Sequence, residues 1–376
     1  MRTVRKSRIL ICLLSLFAIG LALTACGGSG SSSSSTSAST QAPSPSENGP
    51  EDGVDVGTGK PIPVTMENLK IAYVAPGLET GASNAQKRGI EKVAAKYGIP
   101  VESLDGELDL NRQYSLYQTT VDSGKANAIV TLPLGGDQDC DILSKTAPDK
   151  GIIVSIMNLP ICGREFESAK GEGLWQPGTL DSVGVVTTTE SMQELAQACE
   201  KETGGGEMLL INGASGIAAT TLMSKAYGES KMKVAADYAT NYATAEAAAK
   251  TSAGLLAHPD IKVIATQYTT LTEGAIQALK SAGKKPGVDV KLCSNDGGGT
   301  HMVELLESGE VTVDNYVNNE WMGMAATQSI IDAVEGKSVP RVIDPGEEGE
   351  IIKSGLKPWP PVITKATVGQ YPPVEQ

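Results

Sequence analysis

The sequence predicts an α/β fold built from two similar lobes with a cleft between them, and three observations carry that expectation. Short apolar runs of strand type alternate with stretches of helical period from Leu69 to Glu335, the pattern of parallel sheets with right-handed crossovers. The alternation falls into two runs of similar size. Within the second run, His258 to Gly283 (HPDIKVIATQYTTLTEGAIQALKSAG) gives in one stretch a helix stop, a buried strand, a loop and a second helix.

The first run opens with a strand at Leu69 to Pro76, then an amphipathic helix from Ser83 to Tyr97 closed by Gly98. A strand at Ile99 to Leu104 and a helix at Asn111 to Ser123, capped by Asp109 or Asn111, follow. The strand at Ala128 to Leu132 stops at Pro133. A helix is expected from about Asp137 to Asp149, and a fourth strand from Ile152 to Met157 ends at Asn158.

The second run repeats the theme. Val183 to Val186 reads as a short strand passing between the halves, Ser191 to Glu202 as helix, and Glu207 to Ile211 as a strand entering the loop Asn212 to Gly216. Thr220 to Gly228 reads as helix, Lys233 to Asp237 as strand, and Thr244 to Ala257 as an alanine-rich helix. After the stretch just quoted come a strand at Asp289 to Ser294, a loop at Asn295 to Thr300 and a helix at His301 to Ser308. Val311 to Val317 is a further strand, and Glu320 to Glu335 a helix capped by Asn318 or Asn319. Residues just past the carboxyl end of a strand face the ligand crevice of an open α/β sheet, so Gln267, Tyr268 and Thr269 are expected to be places of recognition.

The chain of 376 residues is long enough for a large core divided between two domains, and a net charge of −13 argues against nucleic acid, which selects basic faces. The N-terminus reads as a targeting segment. Arg2, Arg5, Lys6 and Arg8 precede an apolar run from Ile9 to Leu23, and Leu23-Thr24-Ala25-Cys26 ends it. Residues 1–25 thus resemble a bacterial lipoprotein signal peptide, with Cys26 lipidated. The apolar stretch is too short and too rich in small residues to suit a transmembrane anchor. Its removal takes the net charge from −13 to −17. Residues 26–66 hold the lipidated cysteine and a Ser/Gly/Pro tether too poor in apolar residues to fold.

Once Cys12 leaves with the signal and Cys26 carries lipid, Cys140, Cys162, Cys199 and Cys293 remain, and four cysteines allow three pairings. Cys140 and Cys162 follow successive strands of the first half, and Cys199 and Cys293 both belong to the second, which favours pairing within each half; the alternative is buried free thiols. No metal site is expected, because no two cysteines have the close spacing of zinc ligands.

The order and spacing of three segments, INGASGIAATTLMSKAYG, the stretch from His258 to Gly283, and SNDGGGTHMVELLESGEV, resemble the ribose-binding-like solute-binding proteins of ABC importers, which have the periplasmic-binding-protein type I fold. The resemblance covers Leu69 to Gly336. It implies an extracytoplasmic receptor anchored to the cell membrane, with no cofactor. The receptor acts as a monomer that closes on a small molecule, a sugar or sugar-like solute, and delivers it to a permease. It further implies three hinge crossings, near Val183 to Thr187, Asn315 to Asn319 and Val339 to Asp344. On that plan residues 67–182 with 318–340 form the N-terminal lobe, and 183–317 with 341–376 the C-terminal lobe.

Carried across position by position, the resemblance places the aspartate that receives ligand hydroxyls at Asp296 and the stacking aromatic at Tyr242. Elsewhere the chain departs from the pattern. Tyr268 stands where the family has Asn, Thr221 where it has a loop arginine, Met157-Asn158 where it has an Asp-Arg pair, and Gly81-Ala82-Ser83 where sugar binders carry paired aromatics. Val317 replaces an amide, with Asn318 and Asn319 adjacent. The resulting ligand set is Glu79, Asn84, Asn158, Trp175, Thr221, Tyr242, Tyr268, Asp296 and Asn319. Without the arginines and paired aromatics the solute is expected to differ from ribose, being larger or less hydroxylated. Plainer roles compete: Asp296 as a helix cap, Tyr268 as packing, Trp175 as a hydrophobic anchor, and Gly297-Gly298-Gly299 as a turn rather than an anion cradle.

Two other functions use the same residues. A receptor presenting its ligand to a membrane signalling protein has the same sequence features, whereas a lactose-repressor-type regulator would carry a helix-turn-helix where the lipoprotein signal stands. An enzyme is disfavoured, since neither His258 nor His301 belongs to a recognisable motif and the folded part has no Gly-x-Ser-x-Gly.

Overall fold

The computed structural model describes residues 53–166, 171–346, 351–356 and 362–371, except for the side chain of residue 296. Two six-stranded sheets organise it. The first has the order β11-β5-β4-β3-β1-β2, from β1 (Ile71–Ala75), β2 (Val101–Asp105), β3 (Ala128–Thr131), β4 (Ile153–Met157), β5 (Asp181–Val183) and β11 (Val342–Ile343), all parallel. The second has the order β12-β10-β9-β8-β6-β7, from β6 (Glu207–Asn212), β7 (Lys233–Ala239), β8 (Val263–Thr266), β9 (Lys291–Gly297), β10 (Val313–Tyr316) and β12 (Val362–Thr364). Among the described strands only β12 runs antiparallel, and it lies on an edge of its sheet.

Both faces of each sheet are covered, which is why the central strands are predominantly apolar rather than alternating. Along β1, Ile71, Tyr73 and Ala75 face one core and Ala72 and Val74 the other; in β4, Ile153 and Met157 oppose Val154 and Ile156. The helices of the first lobe are α1 (Gly81–Ala94), α2 (Leu110–Ser123), the short α3 (Ala147–Asp149) and α9 (Asn319–Val334). Those of the second are α4 (Thr189–Thr203), α5 (Ala218–Glu229), α6 (Thr244–Ala257), α7 (Thr269–Ser281) and α8 (Thr300–Ser308). In that lobe Leu209, Ile211, Ile264 and Leu292 pack against α6, α7 and α8, while Met208, Leu210, Val263 and Ala265 pack against α4 and α5.

Helices α1 and α9 approach until their backbones touch. A Cβ on Gly89 would lie 2.1 Å from the Glu320 carbonyl oxygen, and one on Gly323 would lie 2.1 Å from that of Gln86. Disulfides join Cys140 to Cys162 and Cys199 to Cys293, so each bridge closes within one lobe, as their places in the sequence suggested.

Three expectations are corrected. The helix expected over Asp137 to Asp149 is broken into a 3-10 turn (Gly136–Asp139), a π turn (Ile142–Thr146) and α3. Pro148 has no N–H for the helical ladder, and its ring disfavours regular α geometry in the turn before it. The tether does not extend to residue 66. Val54 and Ile62 exchange two backbone hydrogen bonds of 2.9 Å, and Val54, Val56, Ile62 and Val64 are buried in the first core. Four apolar residues spaced for an extended hairpin suffice, although their surroundings are polar. The boundary at residue 341 also moves. Val342–Ile343 extends the first sheet through β5, and the Trp321 indole N–H donates to the Ile352 carbonyl at 2.6 Å, whereas Leu356 is buried in the second lobe. The third passage therefore lies between Ile352 and Leu356.

Candidate functional site

Loops leaving the carboxyl ends of strands in both sheets enclose a space of about 650 Å³, part of it continuous with solvent. The first lobe contributes Pro76, Thr80, Ala82 and Ser83 after β1, Leu108 after β2, Leu132 and Leu134 after β3, and Asn158 and Leu159 after β4. The second contributes Ile217 and Ala219 after β6, Tyr242 after β7, Gln267 and Tyr268 after β8, and Asn295 in β9, with Thr187 on the first passage. Apart from the two tyrosines, none of these residues is ionisable.

Backbone strain concentrates here. Five described non-glycine residues have positive φ, and three of them, Leu108 (54°), Asn158 (62°) and Tyr242 (67°), line the space. The turn at Leu108 is dictated by its neighbours. A Cβ on Gly106 would lie 2.6 Å from the carbonyl oxygens of both Ala75 and Pro76. Leu108 N–H donates to Pro76 O at 2.8 Å, and one Asp105 carboxylate oxygen accepts the N–H groups of Leu78 (2.9 Å) and Glu107 (3.0 Å).

Tyr242 lies flat on the chain at Gly213, where a Cβ would fall 2.1 Å from its ring carbon and hydroxyl. Gln267 locks that arrangement. Its Oε1 accepts from Gly213 N–H (2.6 Å) and Thr220 Oγ1 (2.8 Å), and its Nε2 donates to the Tyr242 hydroxyl (3.0 Å). Tyr268 meets Tyr242 edge to face at 6.3 Å, and its hydroxyl accepts the N–H of Ala82 from the other lobe at 3.1 Å. Asn158 ties the space to the first passage. Its Oδ1 accepts from Thr187 Oγ1 at 2.5 Å, and its carbonyl accepts from the N–H groups of Val186 and Thr187. Asn295 donates to Gln267 O and accepts from Asn315 Nδ2.

Of the residues expected from sequence to contact ligand, the structure brings Asn158, Tyr242 and Tyr268 together at this space. Asp296 lies in β9, with its side chain outside the described part, as is Cys26 altogether. Glu79 and Thr221 are exposed and outside the lining. Asn84 serves its own turn, donating to the carbonyls of Leu78 (2.7 Å) and Thr80 (3.2 Å). Asn319 is buried at the start of α9 and accepts from Gln86 Nε2 at 2.9 Å. Trp175 is a structural anchor. Its N–H donates to Thr179 O, the Arg341 guanidinium stands 4.5 Å over its ring, and Gly57 of the N-terminal hairpin packs on it. Leu108, Leu132, Leu134 and Leu159 carried no sequence signal as lining, because an apolar residue after a strand reads as core.

Residues 71–338 match the model of the periplasmic binding protein domain. The chain belongs to that family. It is 24% identical over 262 residues to the ribose import binding protein of Bacillus subtilis, covering 68% of this chain and 79% of that one. It is 25% identical over 253 residues to the D-apiose import binding protein of Actinobacillus succinogenes, covering 66% and 76%. Among solved structures, an ABC transporter solute-binding protein from Agrobacterium vitis bound to α-D-tagatopyranose superposes with a TM-score of 0.63 at 17% identity, covering 80% of this chain and 96% of that one. A glucose-galactose binding protein from Geobacillus stearothermophilus gives 0.62 at 16% identity, covering 79% and 98%. As a periplasmic binding protein the chain is a binding protein and not an enzyme, and the two-lobed architecture expected from sequence is the family's. Among the described residues no helix is long and apolar enough to cross a membrane.

Proposed function

We propose that this chain is the extracytoplasmic receptor of an ABC importer, held to the membrane by lipid on Cys26, which closes its lobes on an uncharged sugar-like solute and hands it to the permease. The observation that carries the reading is the space between the lobes. Strand ends from both sheets converge on it, strained residues line it, and Tyr268 reaches across it to the backbone of Ala82. The import binding proteins among the relatives support the substrate class and the transport role. Closure follows from ligand contacts made only when both lobes are engaged.

Native mass spectrometry of the purified protein, followed by calorimetry with whatever solute is released, tests the receptor role. A sugar-like ligand is expected, and Asp296→Ala and Asn158→Ala are each expected to weaken it by at least tenfold while the fold persists. A protein that carries no solute and whose melting temperature responds to no sugar or polyol would sink the reading. Cys26→Ser is expected to release the protein from the membrane fraction; retention there would remove the lipid anchor.

A further inference from the structure

We propose that the cleft selects an uncharged sugar-like ring in which an apolar substituent replaces a hydroxyl, such as an alkyl or aryl glycoside, over the free polyhydroxy sugar, and that Leu108 reads that substituent. The inference rests on the receptor reading above and names the ligand class of the same site.

Three independent observations point there. The first is the wall. Leu108, Leu132, Leu134 and Leu159 bring four aliphatic side chains from the loops after three strands of one lobe, and the other lobe answers with Ile217 and the Tyr242–Tyr268 edge. Such a wall rewards removal of apolar area from water and offers nothing to a hydroxyl.

The second is the state of the polar groups. Every hydroxyl of a free sugar enclosed here needs a partner, since a buried unpaired one keeps its full desolvation cost. The amides of the site are already committed to the protein. Gln267 uses both ends on Gly213, Thr220 and Tyr242, and Asn295 uses both ends on Gln267 and Asn315. Asn158 gives its oxygen to Thr187, and its amide nitrogen has no acceptor among the described residues. The amides of the described lining therefore leave few open partners for ring hydroxyls, which fall to the hydroxyl-bearing side chains beside them.

The third is the backbone. Leu108 and its neighbour Glu107 occupy the left-handed region at φ 54° and 52°, where a γ-branched side chain is disfavoured and glycine is at ease. The turn itself is set by Gly106 and by hydrogen bonds to the main chain and to Asp105, none of which uses the Leu108 side chain. What the leucine adds is an isobutyl group facing the cleft, held there at a conformational cost.

Isothermal titration with the full chain, freed of co-purified solute, tests the proposal on matched pairs: methyl and phenyl β-D-glucopyranoside against D-glucose, the same galactosides against D-galactose, and D-fucose against D-galactose. The expected result is binding of at least one substituted member tenfold or more tighter than its parent sugar. If the parent sugars bind within tenfold of their substituted partners or better, the inference is overturned and the receptor reading stands. If no member binds and the released solute is not sugar-like, both fall together. Leu108→Gly separates the residue from the site, because glycine suits the backbone there. Its unliganded melting temperature is expected to equal or exceed that of the parent protein, and the preference for the substituted ring to shrink at least fivefold; an unchanged preference overturns the role of Leu108.

Discussion

Tyr268 joins the two lobes across the cleft by a hydrogen bond, and its worth is testable by one atom. Tyr268→Phe removes the acceptor for Ala82 N–H and keeps the ring against Tyr242. Loss of a hydrogen bond of ordinary strength, about 1 kcal/mol, made in the closed arrangement is expected to weaken ligand binding by roughly fivefold with little effect on unliganded stability; calorimetry and melting curves on the same samples separate the two. Asp181 carries a different kind of prediction. It is fully buried in the first lobe, receives hydrogen bonds from Ser155 (2.6 Å) and Ser329, and burial pushes its carboxyl up to about 7. Asp139, also buried, is raised to about 7 by the same cause. A carboxyl raised in the folded state binds more protons than the unfolded chain between its ordinary value and 7, so folding stability falls as pH climbs through that window and levels off above it. Asp181→Asn is expected to melt higher than the parent at pH 8 and to lose that advantage progressively as the pH falls, down to about pH 4. An advantage independent of pH would mean that the carboxylate is already accommodated.

At the scale of elements, the contact between α1 and α9 has the least room. Gly89→Ala would drive a methyl into the Glu320 carbonyl, and backbone cannot rotate away as a side chain can. Overpacking of this kind costs about 1–3 kcal/mol or more, and a fall in melting temperature of at least several degrees is expected; an unchanged value would show that the helices slide apart freely. What sequence made legible at this scale follows from length and pattern. The central strands were visible because burial on both faces leaves runs such as Ile71–Ala75 without a charged or amide side chain, and helix α1 because Gly98 closes, in left-handed geometry, the 3-10 turn (Ala95–Tyr97) that continues it. The two-residue β11 has no period to read, and the hairpin from Val54 to Ile62 vanished into the average composition of its surroundings. At the site, Asn158, Tyr242 and Tyr268 were legible as polar or aromatic residues following strands. Trp175 has the same chemistry but closes a structural seam with Arg341, a partner far away in sequence that no local pattern reveals. The leucines of the cleft were illegible for the opposite reason, since their chemistry is that of the core.

For the whole molecule, the chain passes between two bodies, each a sheet covered by helices on both faces, and Asn158 hydrogen-bonds the first passage from inside the cleft. Ligand contact and lobe movement therefore share a residue. The disulfides respect the same division. The Cys199–Cys293 bridge closes over a sequence separation of 94, and chain-entropy reasoning assigns such a loop about 4–5 kcal/mol of stabilisation. The paired substitution Cys199→Ala with Cys293→Ala is expected to lower the melting temperature of the second lobe measurably while leaving the cleft geometry, and so ligand affinity, within about twofold. That bridge also encloses β6, β7 and β8 with α5, α6 and α7 in one covalent ring. A protease that cuts once at a loop inside the ring leaves a molecule that migrates intact on a gel until reductant is added, and only then as two fragments.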